Sequence, residues 1–146
     1  MRTKRGPAPK LKLLPWIAFQ HDHHLMVFRP RGVMDETRVE ETVAVLEEAE
    51  KQSNEPFNRY SDLSKIDAFD LRFQFIFRIS LHRRLFYAKF PPVKSAFYVT
   101  NPATARVVRT HVLLTDHSPL RARMFREATL AANWLGVPVE DLEIAP

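Results

Sequence analysis

The sequence predicts an α/β domain: one mostly parallel β-sheet whose strands are joined by crossover helices, in the order β-β-α-β-α-β-α-β-α. Three observations carry that prediction. Short runs rich in β-branched and aromatic residues alternate with segments of helical spacing. Residues that start or stop helices stand between them, chiefly Asp35, Asn101-Pro102 and Gly136. The chain of 146 residues, 45% hydrophobic and 27% charged, has the make-up of one globular domain.

The elements follow in order. Residues 1–12 hold Arg2, Lys4, Arg5, Lys10 and Lys12 among Gly6, Pro7 and Pro9, and read as a flexible basic arm before a single domain over 13–146. Leu14–Phe19 and Leu25–Arg29 are two short strands bridged by Gln20-His21-Asp22-His23-His24, a β-hairpin closed by Pro30 and Gly32. Asp35 caps a helix over 36–52, with Val39, Val43, Leu46 and Ala49 on one stripe. A strand follows at Phe57–Leu63.

Residues 68–87 pull two ways. Leu71, Phe73, Phe75, Phe77, Ile79 and Leu81 alternate with more polar residues, which is strand spacing. The segment's length, the acids Asp67 and Asp70 at its start, and the need for a crossover between parallel strands favour a helix, which is the reading adopted. Pro91-Pro92 then precede a strand at Val93–Thr100. Asn101 and Pro102 open a helix to Leu114 with Ala105, Val108 and Val112 inward. A strand at Leu120–Arg126 and a helix at Ala128–Leu135, stopped by Gly136, complete the order.

Composition excludes several chemistries. Without cysteine there is no disulfide, thiolate nucleophile or cysteine-ligated metal cluster. Gly6, Gly32 and Gly136 are too scattered to build a phosphate-cradling loop. His21, His23 and His24 lack converging partners and read as a solvated hairpin tip, not a metal site. His111 and His117 suit the negative end of the third helix. The expectation is a protein that is not an enzyme and uses no cofactor. No apolar run reaches the roughly 18 residues of a membrane span, and a cytoplasmic location is expected.

The charge of +5 comes from the arm; the remainder holds 17 bases against 17 acids. Signs are nevertheless segregated. Residues 35–55 hold eight acids, and residues 72–94 hold Arg72, Arg78, Arg83, Arg84, Lys89 and Lys94 with no acid. The two segments could lie side by side, face each other across a dimer, or form separate solvated faces, the commonest outcome.

Four stretches carry a resemblance: Gly32 leading into the first helix; Asp62-Leu63-Ser64; Pro91-Pro92-Val93-Lys94-Ser95-Ala96; and Phe125-Arg126 followed by Ala131-Ala132-Asn133-Trp134-Leu135-Gly136. Their order and spacing over residues 14–137 resemble the STAS-like superfamily of anti-sigma-factor antagonist domains, including small bacterial proteins of unassigned activity. The resemblance implies a regulatory protein-interaction module switched by phosphorylation of a serine at a helix start. Here Asp70 matches the family aspartate, but Leu71 stands in place of the serine, so the switch is not expected to operate. Other members of the broader fold bind lipids or nucleotides.

Ligands of open parallel sheets gather at the carboxyl ends of the strands, which singles out Asp62, Ser64, Asp67, Asp70, Thr100 and Asn101 as candidate partner- or ligand-binding residues. Local turn and cap roles compete for the same residues. Asp67 with Asp70 lacks the neighbours that acid/base catalysis requires. The leading expectation is a protein partner, with a homodimer as one form. The alternative is a carrier or sensor for a small apolar ligand, drawn from Phe69, Phe73, Phe75, Phe77, Phe86, Tyr87 and Phe90, which could equally fill the core. Nucleic-acid binding through the arm is the weakest reading.

Overall fold

The computed structural model describes residues 14–20, 22–53 and 56–143. The predicted arm at 1–12 and His21 lie outside them. Eleven regular elements follow in chain order: β1 (Ile17–Gln20), β2 (Leu25–Phe28), β3 (Gly32–Asp35), α1 (Glu36–Ser53), β4 (Asn58–Asp62), β5 (Ile66–Asp70), α2 (Phe73–Phe86), β6 (Val93–Tyr98), α3 (Pro102–Leu114), β7 (Leu120–Phe125) and α4 (Ala128–Leu135). Short 3-10 turns follow α2 and α4.

The main sheet has the order β1-β2-β4-β6-β7. β1 runs antiparallel to β2, with Ile17 opposite Phe28, and the other four strands are parallel. Each parallel step needs a crossover, and α1, α2 and α3 supply them. Side chains alternate across the sheet. Leu25, Val27, Tyr60 and Ala96 face α4 and the last turn, where Ala131, Ala132, Leu135 and Leu142 meet them. Met26, Phe28, Arg59, Ser61, Ser95 and Phe97 face the other way, toward α1, α2 and α3. The mostly parallel α/β prediction holds.

Helix ends form where the sequence places them. The Asp35 carboxylate accepts from the Arg38 amide at 2.9 Å, capping α1. Asn101 accepts from the amides of Ala103 (2.8 Å) and Thr104 (3.3 Å), with Pro102 at the first helical position. Gly136 takes φ 75°, left-handed backbone that suits glycine, and its amide donates to Ala132 at 2.9 Å, which ends α4.

Three expectations are corrected. Asp67 and Asp70 do not start a helix: they lie on β5, which pairs in parallel with β3 in a small second sheet, Asp35 opposite Asp70. Gly32 does not close the second strand but opens β3. Both strands are four or five residues long and polar enough to pass for turns and caps. Thirdly, the charged segments are not separate solvated faces. Glu36 pairs with Arg72 at 2.7 Å, Glu40 with Arg78 at 3.2 Å, and Glu47 with Arg83 at 3.1 Å, so α1 and the start and body of α2 are clasped side by side. Hydrogen bonds from Arg72 hold the Glu36 carboxyl down at about 2.

The segment over 73–86 is helical against its own periodicity, because apolar residues ring it. Phe75 and Ile76 are buried with Ser80 and Arg83, while Phe73, Phe77, Leu81 and Leu85 stand outward at four-residue spacing. Replacing Asn101 by alanine removes the acceptor for two amides at the start of α3. The expected loss is about 1 kcal/mol in urea denaturation, with the slope unchanged.

Candidate functional site

The three-helix face of the sheet does not close completely. A cavity of about 140 Å³ lies between Met26, Phe28, Ser61, Leu63, Ser95 and Phe97 of the sheet layer and the inner faces of α1, α2 and α3. Val39, Val43 and Leu46 come from α1, Ile76 and Ile79 from α2, and Val107 and Val108 from α3. Most of this wall is aliphatic or aromatic. Its polar part is concentrated on β4, β6 and the facing turns of α2 and α3: Arg59, Ser61, Ser95, Ser80, Arg83 and His111.

Arg59 occupies an inward position of the central strand and is 3% exposed, which requires a partner for its charge. Glu50, entirely buried on α1, receives Arg59 Nη2 at 2.7 Å and the Phe57 amide at 2.8 Å on one carboxylate oxygen. The Tyr87 hydroxyl donates to the other oxygen, and Arg59 Nη1 donates to that hydroxyl at 2.9 Å. Burial raises the Tyr87 pKa, keeping the phenol protonated as a donor. Arg59 and Arg83 also lie over the Tyr87 ring, 4.7 and 4.9 Å from its centre. Arg83 pairs with Glu47, which also meets His82 at 3.0 Å. Both guanidinium groups of the cavity wall are thus matched by carboxylates behind them.

His111 is the remaining titratable group in the wall. Its Nδ1 lies 2.8 Å from the Ser80 hydroxyl, and its ring meets Phe97 edge-on at 5.7 Å. Desolvation, then the positive charges of Arg83 and Arg59, lower its pKa to about 3, so the imidazole is neutral in ordinary buffers. This corrects the expectation that His111 serves the end of α3: its side chain turns toward α2 instead. His117, in contrast, is exposed beyond that helix.

The residues singled out at the strand tips divide into two groups. Asp62 and Ser64 sit at the end of β4, where the Asp62 carboxylate accepts from the Ser64 amide (3.0 Å) and hydroxyl (2.6 Å) and lies 3.6 Å from Arg29. Thr100 and Asn101 follow the neighbouring β6, Asn101 as the helix cap. Asp67 and Asp70 are carried off onto β5 and are exposed. All six lie outside the cavity wall. Leu71, where the resemblance wants a serine, is part of that wall.

The aromatic set redistributes as well. Phe69 alone among its members lines the cavity; Phe86, Tyr87 and Phe90 cluster at the foot of α2, and Phe73 and Phe77 face solvent. The hairpin tip is less solvated than expected, since His23 meets Asp141 at 2.9 Å and His24 stacks on Phe57 at 4.0 Å. Among the described residues no cluster could hold a metal ion, and no helix is long and apolar enough to cross a membrane. Sequence reading missed Arg59, Ser61 and Ser95. Their signal was there: polar residues at alternate positions of the two central strands, where a plain core would hold aliphatic side chains.

This chain has the fold of an uncharacterised protein of the DUF3478 family from Shewanella loihica PV-4, described as SpoIIAA-like. The two are 19% identical, the match covers 82% of this chain and 90% of that one, and the TM-score is 0.54. The SpoIIAA-like fold is the STAS-like one that the four sequence stretches suggested. No protein-family model and no curated protein matches the sequence.

His111 gives a pH test of this geometry. Its folded pKa of about 3 lies below the ordinary 6.5, so the unfolded chain binds the proton more tightly. Its contribution to stability is complete above about pH 6.5 and drains away as pH falls toward 3. Urea midpoints measured from pH 7 down to 5 should fall for the wild-type chain and stay flatter for His111→Gln; parallel curves would refute a neutral imidazole at this half-buried position.

Proposed function

We propose that the chain is a non-catalytic binding module that takes a small apolar ligand between its sheet and its three crossover helices, as a carrier or sensor. One observation supports this above the others: the mostly apolar cavity of about 140 Å³, with a few polar side chains set among its aliphatic and aromatic walls. Binding sites combine apolar walls with a few placed polar groups that fix orientation. A cavity of closely similar volume lined by Leu, Ile and Phe is large enough for benzene. Pairing of Arg59 with Glu50 and of Arg83 with Glu47 keeps the polar side free of uncompensated charge.

Filling the cavity tests the reading. Ser95 is buried on β6 and lines the space, so Ser95→Leu should occupy part of it. Xenon binding followed by ¹²⁹Xe NMR should be detectable for the wild-type chain and at least about tenfold weaker for the variant, as expected when the space lined by apolar side chains is filled. Absence of xenon binding to the wild type, together with ordered water throughout the cavity in a crystal structure, would remove the support for a ligand.

A second reading, docking of a protein partner, has its own observation. Phe73 and Leu85 are 66% and 73% exposed at the two ends of α2, with Phe77 and Leu81 outward between them. A contiguous apolar stripe of this kind marks interaction surfaces. A double change, Phe77→Asp with Leu81→Asp, removes side chains that are 43% and 37% exposed and should cost about 1–2 kcal/mol while leaving the chain folded, as a urea melt would show. Sedimentation should show self-association of the wild-type chain that the double variant loses. A wild type that stays monomeric and sediments like the variant would count against the homodimeric form of this reading.

A further inference from the structure

The polar side of the cavity specifies more than an apolar ligand. Ser80 and His111 are joined by a single contact at 2.8 Å, and Ser80 is fully buried. A neutral imidazole offers one donor and one acceptor nitrogen. If Nδ1 carried the proton, the Ser80 hydroxyl would accept it and its own hydrogen would need another acceptor, which no described residue supplies to it. With the hydroxyl donating to Nδ1, both atoms of that contact are satisfied and the ring proton sits on Nε2. No described residue accepts from Nε2.

Ser61 and Ser95 add to this donor set from the sheet. They are 4% and 2% exposed, both line the cavity, and neither hydroxyl has a side-chain hydrogen bond among the described residues. Neither hydroxyl is sealed off in the interior: both residues open onto the cavity, where an entering group can pair with them. Guanidinium groups are available nearby, but each already faces a carboxylate, Arg59 at 2.7 Å and Arg83 at 3.1 Å. An anion would have to compete with Glu50 and Glu47 for them.

Resting on the ligand-binding reading above, we propose that the ligand is a compact neutral oxygen compound, a ketone or an ester of roughly six to ten non-hydrogen atoms by comparison with the benzene-sized cavity, whose oxygen accepts the Nε2 proton of His111. The apolar body of such a molecule lies against Ile76, Ile79 and Val108, and the serines of β4 and β6 flank its polar end.

Three ring compounds of matched shape separate the possibilities: cyclohexanone, cyclohexane and cyclohexanecarboxylate, each titrated into the full chain and followed by ¹H–¹⁵N NMR. Cyclohexanone and cyclohexane should both perturb cavity residues, and the carboxylate should bind more weakly than the ketone. His111→Phe should weaken cyclohexanone about tenfold while changing cyclohexane by less than about twofold, the selective loss expected when one hydrogen bond is removed. If neither ring compound binds, the ligand-binding reading itself fails. If cyclohexane binds but the ketone is indifferent to His111→Phe, that reading stands and the role of His111 falls. Tighter binding of the carboxylate than of the ketone overturns the neutral ligand. Because His111→Phe could disturb packing, the infrared carbonyl stretch of cyclohexanone bound to the wild-type chain gives an independent result. A hydrogen-bonded frequency supports the assignment, and the frequency seen in hexane refutes it.

Discussion

Glu50 has no contact with water, yet it stands on a helix that must cover the sheet. A buried carboxylate is tolerable only where donors surround it, and here three donors come from two places in the chain. Phe57 and Arg59 bring the start of β4, and Tyr87 brings the turn that ends α2. Docking of α1 therefore fixes the foot of α2 and the central strand together. Removing any one partner would strand a charge or a phenol in the interior. Such a network specifies arrangement more than it adds stability, because an apolar replacement of equal shape often costs little. Farther along, Glu47 and Glu36 repeat the clasp with Arg83 and Arg72. The helices over the cavity are held at their flanks by charge, and most of the wall between them is aliphatic or aromatic.

How the sequence could be read follows from that division. Elements with local punctuation were legible: the α1 cap at Asp35, the α3 start at Asn101-Pro102 and the α4 stop at Gly136 all depend on neighbours a few residues away. The α2 segment was legible only through topology. Its apolar residues point both into the core and out to solvent, so they produce no stripe, and strand-like alternation appears by coincidence. The crossover between parallel β4 and β6 demanded a helix where periodicity did not. β3 and β5 were illegible because their pairing joins residues more than thirty apart through backbone groups, and their polar side chains look like turn formers.

The site divides in the same way. Strand-tip residues were chosen by a general rule for open sheets, and the structure gives them capping work at Asp62 and Asn101. What lines the cavity instead is a register effect. Arg59 lies opposite Ser95 and Ser61 opposite Phe97 on neighbouring strands, a pairing set by alignment at long range. The serines were present in the sequence as interruptions of two core strands. Ser80 and His111 could not be joined by inspection, since they are thirty-one residues apart and meet only when α2 and α3 pack.

One edge of the main sheet remains to be weighed. β7 has a neighbour on one side only, and its exposed Arg121 and Arg123 alternate along it, with Lys94 beside Arg121 on β6. Arg123 leans over the rings of Phe125 and Trp134, which holds that charge close to the rim. A like strand approaching this border would bring cation against cation. Growth of the sheet by adding strands from another copy is therefore opposed at this end, and the four-residue β1 offers little template at the other. Ribbon-to-ribbon stacking of these molecules meets a charged border here, a safeguard against fibrous aggregation built from two arginines.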